Sequence, residues 1–152
     1  MAIDAAKATA LELAPITVDV ERGRLRFFAA AIGETDPVYS DVHAAYQAGH
    51  ADLPVPPTFF FSLELEAPDP MGYLGELGVD LRHVLHGEQS FTYHAIAHAG
   101  DTLTLRPRIV DVYSKKGGAL EFLVKKTEIT RDGELVAEAT AVIVVRHPEA
   151  SK

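Results

Sequence analysis

The stretch DTLTLRPRIVDVYSKKGGALEFLVKKTEITRDGELVAEATAVIVVR, Asp101 to Arg146, decides the fold class of this chain. Apolar and β-branched residues alternate with polar ones, as in half-buried strands. Including one strand upstream of this stretch, strands are predicted at His83–His94, Asp101–Tyr113, Leu120–Thr130 and Glu134–Arg146. Lys115-Lys116-Gly117-Gly118 and Arg131-Asp132-Gly133 separate the last three, and their residues tolerate the positive φ of tight turns. Consecutive strands joined by such turns predict an antiparallel sheet.

Before Gly78 the spacing of the apolar residues changes to that of helices. Positions three and four apart along one face predict a helix at Glu21–Ile32, which ends at Gly33. A second, short helix is predicted at Asp41–Ala48. Its expected caps are Asp41 or Ser40 at the start and Gly49 at the end.

A third helix is predicted at Phe59–Glu66, after the extended segment Leu53–Pro57. Thr58 has the residue type of an N-cap. The segment that follows carries too many large apolar side chains for a surface loop, so the helix is expected to be buried. Helices followed by a run of antiparallel strands predict an α+β fold, with the buried helix on one face of a curled sheet.

The composition excludes several kinds of site and partner. The 152 residues include no cysteine, so disulfides and cysteine nucleophiles are excluded. The formal net charge of -8 argues against a nucleic-acid partner. No apolar run reaches the roughly 20 residues that a bilayer requires, and Asp4, Lys7 and Glu12 interrupt any signal-peptide core. We expect one cytoplasmic domain over residues 1–152, with a core at about 18–146 and ragged ends, and no membrane association.

Two groups of residues admit a ligand but have a plainer interpretation. The basic pairs Lys115-Lys116 and Lys125-Lys126 could meet the phosphates of a coenzyme, although lysines at a solvated hairpin end are more common. The histidines show no spacing typical of a metal site, so no metal and no cofactor are expected.

Three parts of the sequence resemble the MaoC-like dehydratases. The first runs from Arg22-Gly23 through Gly33-Glu34-Thr35-Asp36-Pro37-Val38-Tyr39 to Pro56-Pro57-Thr58-Phe59. The second is His86-Gly87-Glu88-Gln89-Ser90-Phe91-Thr92-Tyr93, and the third is Ala99-Gly100-Asp101-Thr102-Leu103. The resemblance extends from about Val18 to Val145. It is closest to the N-terminal, FAS1-like dehydratase domain type and to the non-catalytic subunit of heterodimeric 3-hydroxyacyl-carrier-protein dehydratases.

The resemblance implies a hotdog fold, in which a long central helix is wrapped by an antiparallel sheet. It also implies pairing with a second hotdog, as a homodimer or a heterodimer, and an acyl-CoA or acyl-carrier-protein thioester bound in a tunnel between the two. Active members hydrate trans-2-enoyl thioesters or dehydrate 3-hydroxyacyl thioesters in fatty acid metabolism, using an Asp and a His five residues apart before the central helix.

In this chain both ends of that catalytic pair are replaced. Glu34 stands at the position of the Asp and Tyr39 at the position of the His, while Asp36 replaces an Asn. Addition of water to a conjugated double bond needs a base and an acid of suitable pKa. Glu34 could serve as a base if burial raised its pKa, but Tyr39, with an ordinary pKa near 10, is a poor partner at neutral pH. Asp36 is a candidate for binding the substrate, although an Asp before Pro is also typical of a turn.

Other residues are candidates for binding the thioester. His86, Glu88 and Gln89 form the most polar cluster on a strand, and they either orient the substrate or cap the helix and satisfy buried backbone groups. Phe60, with Phe59 and Phe61, could line the acyl tunnel. Three consecutive residues point around a helix, so at least one of these rings must be plain core.

The residues leave three functions open. The first is a substrate-holding component that works with a catalytic hotdog partner. The second is a stand-alone enoyl-CoA hydratase that uses Glu34, with Tyr39 or His86 in an unusual role. The third is a non-catalytic regulatory module that binds acyl-CoA, and a thioesterase is a further catalytic alternative. The fold alone does not choose among them.

Overall fold

A computed structural model describes residues 2–148. Of the ragged ends expected on either side of about 18–146, residue 1 and residues 149–152 lie outside the described residues. Residues 5–10, in contrast, form a helix whose Ala8 is buried in the core. The helices are α1 (Ala5–Ala10), α2 (Arg22–Ala31), α3 (Val42–Gln47), α4 (Phe60–Glu64) and α5 (Gly72–Glu76). The strands are β1 (Ile16–Asp19), β2 (Val84–Tyr93), β3 (Thr102–Lys115), β4 (Leu120–Arg131) and β5 (Glu134–Arg146). They form one antiparallel sheet in the order β1-β3-β4-β5-β2.

The four predicted strands are confirmed to within two residues at each end. Both turns contain residues with positive φ, namely Lys116, Gly117 and Gly118 in the first and Asp132 and Gly133 in the second. The two early helices are confirmed as well. Asp41, not Ser40, caps α3, because its carboxylate accepts the backbone N–H of His43 at 2.9 Å.

The buried helix predicted at Phe59–Glu66 is confirmed as Phe60–Glu64, with Phe60 and Leu63 buried, but two of its expected details were wrong. Thr58 is not its N-cap: the helix begins with a 3-10 turn at Pro57–Phe59, and Thr58 lies inside that turn. Pro57 at the first position lacks the N–H that a cap would satisfy. The long helix implied by the resemblance is also absent, because α4 ends at Glu64 and α5 is separate. Pro68 and Pro70 lie between them, and proline cannot continue a helix.

The helices pack on one face of the sheet in two buried clusters. In the first, α2 and α4 contribute Leu25, Phe60 and Leu63, which pack with Leu105 of β3 and Ile129 of β4. The second lies toward the other end of the sheet and joins α1 and α5 to β3, β4 and β5. Its members include Tyr73, Leu74, Ile109, Leu123 and Ile143. None of the helices between residues 2 and 148 has the length and apolar character needed to cross a bilayer.

Strand β2 forms one edge of the sheet, and none of its ten residues is buried. Its register against β5 shifts between His86 and Glu88, which places Gly87 at a bulge. A Cβ on Gly87 would lie 2.7 Å from Cγ2 of Val144 and 3.1 Å from the carbonyl oxygen of Val142. The close approach of β5 therefore requires glycine at this position.

Candidate functional site

The loop between α2 and α3 holds two carboxylates whose oxygens accept from the loop's own backbone. The N–H of Asp36 donates to Oε1 of Glu34 at 3.0 Å, and the N–H of Val38 donates to Oδ1 of Asp36 at 3.0 Å. Asp36 thereby caps the 3-10 turn Pro37–Tyr39, as the turn interpretation predicts. Glu34 and Asp36 are both exposed, so the burial on which a role for Glu34 as a base depends is missing.

Tyr39, from the same loop, faces a cavity of about 290 Å³. The cavity lies beside the start of α4 and the end of β2, and its main walls are Val38, Tyr39, His50, Phe60, Tyr93 and Ile96. Burial, and to a lesser extent the charges of Glu34 and Asp36, raise the pKa of Tyr39 above 10. At neutral pH its phenol is protonated, so it can donate a hydrogen bond but cannot act as a base.

The structure brings only two of the predicted site residues, Tyr39 and Phe60, into this cavity. Glu34 and Asp36 are not among the residues that line it. The three phenylalanines have different positions: Phe59 packs edge-on against Phe28 at 5.2 Å between ring centroids, Phe60 forms a cavity wall, and Phe61 is 41% exposed. Phe59 is thus the plain core residue that the helical geometry requires.

The polar cluster on β2 lies outside the cavity. The ring of His86 meets Phe61 edge-on at 5.5 Å, and Nε2 of Gln89 donates to the neighbouring carbonyl of Ser90 at 3.3 Å. His86 and Glu88 flank the bulge at Gly87. None of the three polar side chains caps a helix, so the capping interpretation was wrong. All three lie on the edge strand of the sheet, where His86 and Glu88 are exposed and Gln89 is half-buried.

Sequence reasoning missed most of the residues that line the cavity, among them His50, Tyr93 and Ile96. The hydroxyl of Tyr93 donates to the carbonyl of Pro57 at 2.7 Å, which ties the end of β2 to the start of the α4 segment. Burial raises the pKa of Tyr93. Nδ1 of His50 lies 3.0 Å from Nε2 of His98, a hydrogen bond between residues 48 positions apart. Their spacing in the sequence gives no sign of this pair, because the two histidines come together only in the folded chain.

One of the two lysine pairs differs from the hairpin interpretation. Lys115 and Lys116 are exposed at the end of a hairpin, as expected. Lys125 and Lys126, in contrast, lie in the middle of β4. Nζ of Lys125 pairs with Glu64 at 2.8 Å beside a second cavity of about 520 Å³, and its side chain is only 12% exposed. Burial and Glu64 raise the pKa of Tyr73, which lines the same cavity.

Within residues 2–148, no group of three or more His, Asp or Glu side chains is placed to hold a metal ion. The two imidazoles of His50 and His98 lie close together, but no third side chain of these types among the described residues completes a metal site with them. The chemistry that the 290 Å³ cavity offers is therefore hydrogen bonding, from the Tyr39 phenol and the His50 ring, in a pocket that is otherwise largely apolar and open on one side.

Comparison with known proteins adds sequence and structural likenesses. Residues 7–139 match the family described as "FAS1-like, dehydratase domain region". A UPF0336 protein of Parafrankia sp. (strain EAN1pec) is 42% identical over 137 residues, 86% of each chain. A UPF0336 protein of Streptomyces griseus is 38% identical over 131 residues, which is 86% of this chain and 87% of its own.

Among solved structures, a chain of the C-terminally truncated HadBC (3R-hydroxyacyl-ACP dehydratase) complex from Mycobacterium tuberculosis is similar, with a TM-score of 0.76 and 28% identity. The match covers 88% of this chain and 93% of that chain. The ChsH1-ChsH2 complex from the same organism gives a TM-score of 0.77 at 24% identity and 94% coverage of both chains. These likenesses confirm the predicted α+β hotdog fold.

Proposed function

Because this chain belongs to the family of FAS1-like dehydratase domains among the MaoC-like hotdog proteins, we propose that it binds an acyl thioester as the substrate-holding component of a 3-hydroxyacyl-thioester dehydratase or enoyl-CoA hydratase. In this proposal the 290 Å³ cavity beside Tyr39 and Phe60 receives the acyl end of the thioester. The base and acid of the reaction come from a second hotdog chain.

The observation that carries the proposal is the state of the loop at Glu34–Tyr39. Hydration or dehydration requires one group to take a proton and one to give it. Here the carboxylate of Glu34 is exposed, accepts a backbone N–H and stands outside the cavity. Tyr39 is inside, but its raised pKa keeps the phenol protonated. A protonated phenol suits a hydrogen bond to a thioester carbonyl better than it suits base catalysis.

The exposed edge of the sheet is evidence for the second chain in this proposal. β2 is a long edge strand with no buried residue, and a free edge of this kind is normally covered or blocked. α4 lies beside it, since Phe61 contacts His86. Large apolar residues of both elements and of their ends are 41–55% exposed: Phe61, Leu65, Leu85, Tyr93 and Ile96. Such a surface suits a partner hotdog, and the HadBC and ChsH1-ChsH2 neighbours are complexes of two named subunits.

The test is the behaviour of the purified chain toward crotonyl-CoA. We expect no loss of the absorbance of the conjugated thioester, together with an increase in Tm when crotonyl-CoA or butyryl-CoA is added. Tyr39→Phe, which removes only the phenol oxygen, should reduce that increase. Phe27→Ser, a change to a ring that is 78% exposed on α2 and does not line the cavity, is the control and should leave it intact.

Coexpression then tests the partner. A hotdog chain that carries the intact Asp and His should form a complex with this chain and give turnover that neither gives alone. Turnover by this chain alone that disappears in Glu34→Gln would overturn the proposal and establish a stand-alone hydratase. No turnover and no effect of any acyl-CoA on Tm would also overturn it.

A further inference from the structure

The two histidines beside the cavity carry a second inference. His50 lines the cavity, and Nδ1 of its ring is 3.0 Å from Nε2 of His98, which lies behind it. The rings are 5.2 Å apart between centroids and are tilted by 56°. We propose that His50 contacts the oxygen-bearing head of the bound acyl group and that His98 is the positioning residue that orients it. This inference rests on the proposed function.

The pair is not needed to join the two segments that contain it. Two backbone hydrogen bonds already do so: the N–H of Val55 donates to the carbonyl of Ala97 at 2.8 Å, and the N–H of Ala99 donates to the carbonyl of Leu53 at 2.9 Å. The imidazole bond comes in addition to these. Its distinct effect is to fix the rotation of the His50 ring at the wall of the cavity.

The surroundings of His98 favour its neutral form. Asp101 pairs with Arg131 at 2.7 Å, and Asp52 pairs with Arg22 at 2.7 Å, so both nearby carboxylates are held in ion pairs with arginine. Burial, and next the neighbouring His50, lower the pKa of His98. Of two imidazoles joined by one hydrogen bond, one donates and the other accepts.

That arrangement leaves one ring nitrogen of His50 to face a ligand. With Nδ1 engaged by His98, Nε2 of His50 has no hydrogen-bond partner among the described residues. If His98 donates, Nε2 of His50 carries a proton and suits the thioester carbonyl oxygen. If His98 accepts, Nε2 has a lone pair and suits a hydroxyl at the 3-position. In both cases the recognised group is an oxygen at the polar head of the acyl chain.

Binding of two ligands tests the contact. Crotonyl-CoA offers only the carbonyl oxygen at its acyl head, whereas 3-hydroxybutyryl-CoA offers a hydroxyl as well. We expect His50→Ala to weaken binding of at least one of them by about three- to tenfold, the range that the loss of one neutral hydrogen bond produces. Weakening of both identifies the carbonyl, and weakening of 3-hydroxybutyryl-CoA alone identifies the hydroxyl. His43→Ala is the matched control, because His43 is an exposed histidine of α3 that does not line the cavity.

The role of His98 needs a measurement that a purely structural residue would not affect. Long-range proton–nitrogen NMR spectra report which ring nitrogen of His50 carries the proton. We expect one fixed tautomer in the wild type, a mixture in His98→Phe, and restoration in His98→Gln, whose amide can again form the hydrogen bond. Addition of acyl-CoA should shift the His50 ring signals in the wild type, which tests the contact even if His50→Ala does not fold.

The outcomes separate this inference from the proposed function. If the wild type binds acyl-CoA and His50→Ala binds both ligands equally well, the histidine contact is overturned while the holding function stands. An unchanged tautomer in His98→Phe overturns the role of His98. If the wild type binds neither ligand, the proposed function fails and this inference fails with it.

Discussion

Replacement of Gly87 by alanine tests whether β2 and β5 approach each other as described. The new Cβ would lie 2.7 Å from Cγ2 of Val144 and 3.1 Å from the carbonyl oxygen of Val142. The first contact is closer than carbon atoms tolerate, and the branched Val144 side chain has few alternative rotamers. The second involves backbone, which gives way only if the bulge opens. Overpacking of this kind costs about 1–3 kcal/mol, or about 2–12 °C in Tm for a chain of this size.

Urea denaturation measures this loss of stability, and two further variants test whether it arises from the contact with Val144. Gly23→Ala is the matched control: Gly23 lies within α2 with open space around its Cβ, so alanine should stabilise the chain by about 0.5–1 kcal/mol. In the double variant Gly87→Ala, Val144→Ala, loss of Cγ2 should recover part of the cost, which a double-mutant cycle quantifies. Wild-type stability of Gly87→Ala would refute the described register of β2.

Three other changes have defined outcomes. Burial lowers the pKa of His98, so this histidine binds a proton more tightly in the unfolded chain than in the folded chain. The free energy of unfolding should therefore fall as the pH drops below about 6.5. Urea titrations at several pH values measure this dependence, and His98→Gln should make it weaker. Lys125→Met leaves Glu64 unpaired in a mostly buried position and should lower the free energy of unfolding in urea by about 1–3 kcal/mol. Adding Glu64→Gln should restore part of that free energy. No restoration would argue against the ion pair. Tyr93→Phe loses the hydrogen bond to Pro57 and should cost about 0.5–1.5 kcal/mol without changing far-UV circular dichroism, so an unaltered unfolding curve would contradict that contact.

The sheet was predictable because its information is local. Alternation along Leu120–Thr130 and Glu134–Arg146 assigns each side chain to one face, and the glycine-containing turns between strands fix the hairpins. The short strand β1 was not predictable in the same way. It has four residues, and it exists as a strand because Ile16 to Asp19 pair with the edge of β3. The pattern of a four-residue segment does not indicate that it will pair with a strand 83 or more residues away.

The candidate site also has a part that the local sequence predicts and a part that it does not. The substitution of the catalytic pair by Glu34 and Tyr39 is visible in the sequence, because the loop motif is contiguous and Pro37 aligns it. Which of these residues reaches the cavity is not visible. Glu34 turns back to the backbone of its own loop, whereas Tyr39, one 3-10 turn later, lines the cavity.

Only the tertiary structure decided the remaining polar groups. His50 and His98 meet because the segment after α3 pairs with the segment between β2 and β3, at the bridge between Pro54 and His98. Lys125 has an ion-pair partner in a mostly buried position because α4 brings Glu64 over the middle of β4. The sequence thus determined the fold class and the altered loop, through patterns repeated every few residues. The cavity and its histidine pair depend on contacts between distant segments, which exist only once the helices pack on the sheet.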